Sequence, residues 1–317
     1  MMIARPLFLG LALAACGASA APIVPDAGAE LLPGFTPAAP GPGELQVVSP
    51  IVRDIAPGAD VLMCTYLPIE AGFATDVDIT HVTGFQTQAG AHHAILYQAR
   101  SNRPVDTHVC TDDDMANSIP LGITGGEGGD AFGIPDGLAL RAAAHSQLFF
   151  QTHWVNTTDQ AIDGQAAFNL TVQAPSTAVQ TAGVFSIVST QISVAAGATG
   201  SAAATCTFAR DIQFGTLYGH AHEWGTHVRI VHTPMGGADD VIYDHDWIAH
   251  NAFAPPSLRY TVAAPFVVHA GDTVRVECSY DNTTDHELTF PFEMCAAAGF
   301  YFPGNAQLNC VDGGWPN

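Results

Sequence analysis

His220 and His222, in the stretch LYGHAHEWGTH, are separated by a single residue. Alternate side chains of a strand share a face, so both imidazoles can reach one metal ion. Met294, in TFPFEMC, adds a thioether. A lone methionine is ordinarily core filler, yet two histidines with a thioether form a soft-leaning donor set that suits copper, above all copper(I), better than zinc or magnesium. His92 and His93, in GAHHAILYQAR, are adjacent, and on a regular strand they would point to opposite faces. His153, in SQLFFQTHWV, has aromatic and apolar neighbours and would complete a three-imidazole site with them. His227 and His232 read as surface or supporting residues.

In this order HHAILY, QTHW, HAH and EMC resemble the copper type II, ascorbate-dependent monooxygenases, the family of the peptidylglycine- and dopamine-hydroxylating enzymes. Each motif alone is weak; four in order, from about Cys64 to Cys310, are specific. The resemblance implies two tandem eight-stranded antiparallel jelly-roll-like β-sandwiches, each holding one copper across an open, solvent-filled cleft. His92, His93 and His153 would bind the electron-transfer copper, and His220, His222 and Met294 the copper where oxygen and substrate react. Gln151 matches a position near the first copper. The implied disulfides are Cys64 with Cys110, Cys206 with Cys310, and Cys278 with Cys295. For His92 and His93 to serve one ion, their strand must bulge, twist or end there. The activity implied is hydroxylation of a C–H bond of a small organic substrate, using O₂ and ascorbate or another one-electron reductant. The alternative is an exported copper-binding protein without catalysis. HAHEWG also resembles a copper–zinc superoxide dismutase motif, but the remaining ligand pattern of that enzyme is not evident.

The substrate contacts of the peptide-amidating relatives are missing. Tyr218 stands where they carry Arg two residues before the HxH pair, and Ala296 and Ala298 replace Asn and Tyr after the methionine-cysteine pair. Glycine-extended peptides are therefore not the expected substrate.

The elements that must position these residues read as strands. Runs such as HAILYQA, AAFNLTVQA, THVRIVHT and DTVRVECSY are rich in β-branched and aromatic residues and lie between Gly, Pro, Asn and Asp clusters, with no convincing helical periodicity. The pattern divides the folded part into sandwiches over 45–176 and 177–317, with the boundary near QAPSTAVQTAG. No internal repeat stands out, and NTT at Asn156 and Asn282 matches glycosylation acceptors.

Residues 1–20 read as an export signal with two processing readings. LAAC resembles a bacterial lipobox, which would make Cys16 the lipidated first residue, the favoured reading; ASA suits ordinary signal peptidase. Residues 21–44, rich in Pro, Ala and Gly, read as a tether. The six later cysteines form an even set in an exported chain, which predicts disulfides while leaving their pairing open and leaving no thiolate for a blue-copper site. With 30 acidic and 9 basic residues, the net charge of −21 excludes nucleic acid as a partner and leaves the membrane to an N-terminal lipid anchor.

Overall fold

The computed structural model describes residues 30–125, 133–252 and 254–315. The signal segment, Cys16 and the first part of the tether lie outside them. Sixteen principal strands fall into two sets of eight. The first set is β1 (Glu44–Val48), β2 (Asp60–Tyr66), β3 (Val77–Gln86), β4 (Ala91–Ala99), β5 (Ser118–Gly125), β6 (Leu138–Ala142), β7 (Leu148–Val155) and β8 (Ala166–Gln173). The second is β9 (Gln180–Ser189), β10 (Thr199–Thr207), β11 (Ile212–His220), β12 (Gly225–Thr233), β13 (Asp240–Asp246), β14 (Phe266–Val268), β15 (Thr273–Asp281) and β16 (Cys295–Phe302).

The first set forms sheets ordered β1-β8-β3-β6 and β2-β7-β4-β5; the second forms β9-β16-β11-β14 and β10-β15-β12-β13. Both are antiparallel jelly-roll sandwiches. Adding eight to a strand number gives its counterpart, so the second sandwich repeats the first. The sequence shows why these segments are strands: along β15, TVRVECSYD, Val274, Val276, Cys278 and Tyr280 are buried while Arg275 and Glu277 face outward.

One anchor recurs in both halves. Asn156, just after β7, donates to the Ile55 and Gln160 carbonyls, at 2.8 Å each, and accepts from the Thr158 N–H. Asn282, just after β15, donates to the Val194 and His286 carbonyls and accepts from the Thr284 N–H. Both side chains are buried, so the two NTT motifs are fold anchors with their amides committed to the backbone.

The sandwiches are not separate bodies on a linker. β9 pairs in parallel with β6, matching Gln180 with Leu138 through Ala182 with Leu140, and this fuses one sheet of each into a ten-stranded sheet. Ala182, Phe300 and Phe302 of the second set belong to the first set's core. Nor does the described part of the tether hang free: Leu32 N–H donates to Gln165 Oε1 at 2.8 Å, Asn169 donates to the Ala38 carbonyl, and Phe35 is buried. The disulfides are Cys64–Cys110, Cys206–Cys310 and Cys278–Cys295. They place the folded chain in an oxidising, exported environment. No described helix is long and apolar enough to cross a membrane.

Candidate metal centre

The ladder between β4 and β7 pairs Ala91 with Trp154 and then His93 with His153, leaving His92 as the extra residue of a β-bulge. Gly90, at φ +68°, turns the chain into it. At a bulge, two residues of one strand oppose a single partner, and successive side chains converge rather than alternate. His92 Nδ1 and His93 Nδ1 lie 3.0 Å apart. Two nitrogens bound to one ion at about 2.0–2.1 Å in a tetrahedral site are about 3.3 Å apart, so this spacing is close to that of a shared metal. His153 joins them, with candidate ligand atoms of all three histidines within 4.8 Å of one another. Its Nε2 is 2.5 Å from Asp60 Oδ1. The carboxylate takes that N–H and leaves Nδ1 of His153 for a metal.

The second set is built at the end of β11. His220 pairs with Ala296 of β16, and His222 and Met294 lie just beyond the ends of these two strands. Glu293 ties the two segments together: its buried carboxylate accepts the backbone N–H groups of His222, Trp224 and Met294. His222 Nδ1 lies 2.9 Å from the Phe292 carbonyl. A carbonyl only accepts, so Nδ1 carries the proton and Nε2 keeps its lone pair. Trp247 buttresses the site, donating from Nε1 to the His222 carbonyl at 3.2 Å with its ring 6.4 Å from that of His220.

The two sets meet. The His92 and His222 rings are 6.1 Å apart, centroid to centroid, in a T-shaped arrangement. That spacing admits no water layer between them, so the open cleft expected from sequence is closed at this point by direct imidazole packing. Burial, followed by the neighbouring imidazoles His153 and His222, lowers His92 to about 4. Burial, then His222, lowers His220 to about 3. His93 and His222 are lowered as well, again chiefly by burial. All four are neutral at ordinary pH, the state a metal ligand needs.

Imidazole and thioether donors suit copper. The nearby carboxylates, Asp60 and Glu293, are engaged by N–H groups, and the six cysteines after Cys16 are disulfide-bonded, so no thiolate competes. The residues fit the group. Gln151, on β7, donates to Met115 Sδ at 2.9 Å. Sequence reading missed Asp60, Glu293 and Trp247, whose roles depend on contacts across the fold and carry no local motif.

No family model matches the chain, and no curated protein does. Among solved structures, the major capsid protein P2 of bacteriophage PM2 is similar at a TM-score of 0.35 and 8% identity, over 81% of this chain and 97% of that one. An archaeal virus protein with a triple jelly roll gives a TM-score of 0.24 at 7% identity, over 82% and 55%. The PBSX exported protein XepA gives 0.20 at 9%, over 84% and 88%. Scores this low bear on neither the fold nor the site.

Proposed function

We propose that the chain is an exported copper-dependent monooxygenase that hydroxylates a C–H bond of a small organic substrate, with O₂ as oxidant and a small-molecule reductant such as ascorbate. The observation that carries this reading is the meeting of two histidine sets, three imidazoles on β4 and β7 and the pair His220 and His222 at the end of β11, whose backbone Glu293 ties to that of Met294, through the His92–His222 contact. Copper supplies the one-electron steps and the activation of O₂. The protein's part is to hold His92, His93, His220 and His222 neutral, to fix the tautomers of His153 and His222 through Asp60 and the Phe292 carbonyl, and to tie the backbone of His222 to that of Met294 through Glu293. Ala296, Ala297 and Ala298 put only small side chains on β16 next to this pair. A lipid anchor on Cys16 would hold the enzyme at a bacterial membrane.

The test is bound copper per chain in protein folded with its disulfides. Wild type takes up two, and His92→Ala and His222→Ala each keep one. Met294→Ala retains copper at His92, His93 and His153 and loses hydroxylation. Two coppers without O₂ consumption under any reductant would turn the reading to copper binding alone.

A further inference from the structure

The β2-β7-β4-β5 sheet turns Ala94, Leu96, Leu148 and Phe150 into the core of the first sandwich, so the residues that alternate with them lie on its other face. There the ladders set three rows across β2, β7 and β4. The first is Leu62, His153 and His93; the second is Cys64, Gln151 and Ile95; the third is Tyr66, Phe149 and Tyr97. The histidine set and an aromatic stack therefore share one face. The Tyr66 and Phe149 rings stack at 4.5 Å, centroid to centroid, and those of Tyr97 and Phe149 at 4.9 Å. His108 lies nearly parallel to Tyr66 at 6.1 Å, on a short strand, Thr107–Val109, that pairs with β2 on the side away from β7. Cys110 and Met115 pack against this cluster, and the Cys64–Cys110 disulfide fastens their segment to β2.

Within the stack, Tyr66 has a place to put its proton. Its ring is buried, and its hydroxyl donates to Asp114 Oδ1 at 3.0 Å. The other oxygen, Oδ2, accepts the N–H and the hydroxyl of Thr111, at 2.8 and 2.7 Å, and lies 3.1 Å from His108 Nε2. Burial works against the charge of Asp114, but the Thr111, His108 and Tyr66 donors outweigh it and hold the carboxyl at about 2. The carboxylate is thus ionised and able to take a proton. His108, about a third exposed, continues the line toward solvent. Tyr97 differs: burial alone pushes its phenol up, and no hydrogen bond of its hydroxyl is found among the described residues. A phenol that loses an electron becomes a strong acid, and a buried charge is costly, so oxidation favours the ring whose proton can leave with the electron.

The rows of Tyr66 and His153 are four residues apart, about 13 Å at about 3.3 Å per residue. Buried Cys64 and Gln151 fill the row between them, and Gln151 Nε2 meets Met115 Sδ at 2.9 Å. A packed span of this length is within reach of electron tunnelling.

We propose that Tyr66 is a redox-active tyrosine that returns an electron to the first histidine set when one of its imidazoles has been oxidised, with Asp114 taking the phenolic proton. This goes beyond the copper reading, and the link to the histidine set rests on it. Copper, O₂ and reductant without substrate give oxidants of the hydroxyl-radical class, and one that takes an electron from an imidazole leaves as hydroxide. Tyr66 passes one electron to that imidazole and its proton to Asp114, and becomes a neutral radical. A one-electron reductant at the surface beside His108 then replaces the electron, and Asp114 returns the proton.

The test uses the full disulfide-bonded chain in two arms. In the metal-free protein, oxidation by photogenerated tris(bipyridine)ruthenium(III) should leave the spin signal of a tyrosyl radical after rapid freezing. Tyr66→Phe keeps the ring in the stack and should lose most of that signal. Asp114→Asn can still accept the hydrogen bond but not the proton, and should lower the yield. Tyr97→Phe should leave it unchanged. In the copper-loaded protein, given ascorbate and O₂ without substrate, mass spectrometry should find oxidised His92, His93 and His153 accumulating severalfold faster in Tyr66→Phe than in wild type or Tyr97→Phe. A tyrosyl signal that survives Tyr66→Phe, or histidine oxidation that this variant leaves unchanged at full copper loading, overturns the inference and leaves the copper reading standing. A chain that takes up no copper overturns the link to the histidine set and the copper reading together, while the metal-free arm still decides whether Tyr66 is the residue that gives up the electron.

Discussion

Glu293 shows how much one side chain can hold. Its carboxylate is fully buried and takes three backbone N–H groups, from His222, Trp224 and Met294. Burial raises its pKa, and these donors work in the opposite direction by favouring the charged form. Glu293→Ala orphans all three N–H groups, at about 1–3 kcal/mol each. The variant should lose at least about 3 kcal/mol in denaturant unfolding and release the copper of the second set while keeping that of the first. Unchanged copper content would deny Glu293 its positioning role. The histidines give a pH prediction. Unfolded imidazoles titrate near 6.5, whereas folded His92 and His220 stay neutral down to about 4 and about 3. Between these values the unfolded chain binds more protons, so stability rises with pH. The metal-free protein should be fully stable above about pH 6.5, and its thermal midpoint should fall as pH drops toward 4. Asp114 and Asp272, held at about 2, titrate below that window. His92→Gln with His220→Gln should flatten the profile; an equally steep fall would assign the loss to other groups.

At the scale of elements, the repeat of the sandwich explains which parts of the site the sequence could show. β12 and β15 pair Gly225 with Tyr280 and His227 with Ser279, leaving Thr226 as the extra residue. This is the same bulge as at His92, set by the same distance from the Asn-Thr-Thr anchor. The counterparts of His92, His93 and His153 are therefore Thr226, His227 and Ser279, and the fold supplies the convergence while the sequence supplies the ligands. His227 is turned instead to Asp244, at 2.8 Å. Thr226→His with Ser279→His should add one equivalent of bound copper above the wild-type value, lost again with His227→Ala. No gain in equilibrium dialysis would mean that the bulge alone is insufficient and that a carboxylate placed as Asp60 is at His153 is needed. Strand identity was legible because β-branched and aromatic runs alternate between Gly, Pro, Asn and Asp clusters. The spacing of His220 and His222 was legible for the same reason. The duplication was hidden, because its shared features are backbone bulges and an Asn-Thr-Thr turn that resembles a glycosylation signal. The convergence of His92 and His93 came from the family resemblance, since a two-residue period separates them. Glu293 was invisible because its carboxylate gains its meaning only from backbone groups that the fold brings to it.

At the scale of the whole molecule, the decisive feature is that neither sandwich is complete alone. Phe300 and Phe302 on β16 pack into the core that includes Leu138 and Leu140, and β9 extends the first sandwich's sheet through its parallel pairing with β6. Among the described residues no disulfide crosses between the halves, since Cys64–Cys110 lies in the first and Cys206–Cys310 and Cys278–Cys295 in the second. Cooperation between them must come from the shared sheet and the shared apolar core. The contact of His92 with His222 depends on the same junction, because each histidine belongs to a different sandwich. Calorimetry of the metal-free chain should thus show one transition, with calorimetric and van't Hoff enthalpies in agreement. Phe300→Ala removes a ring that is 8% exposed at this junction, at a cost of about 3–5 kcal/mol. It should lower the single transition as a whole and weaken copper binding at both sets together. Two resolved transitions, with Phe300→Ala shifting only one, would mean that the sandwiches fold as independent bodies and that the histidine sets meet without being held.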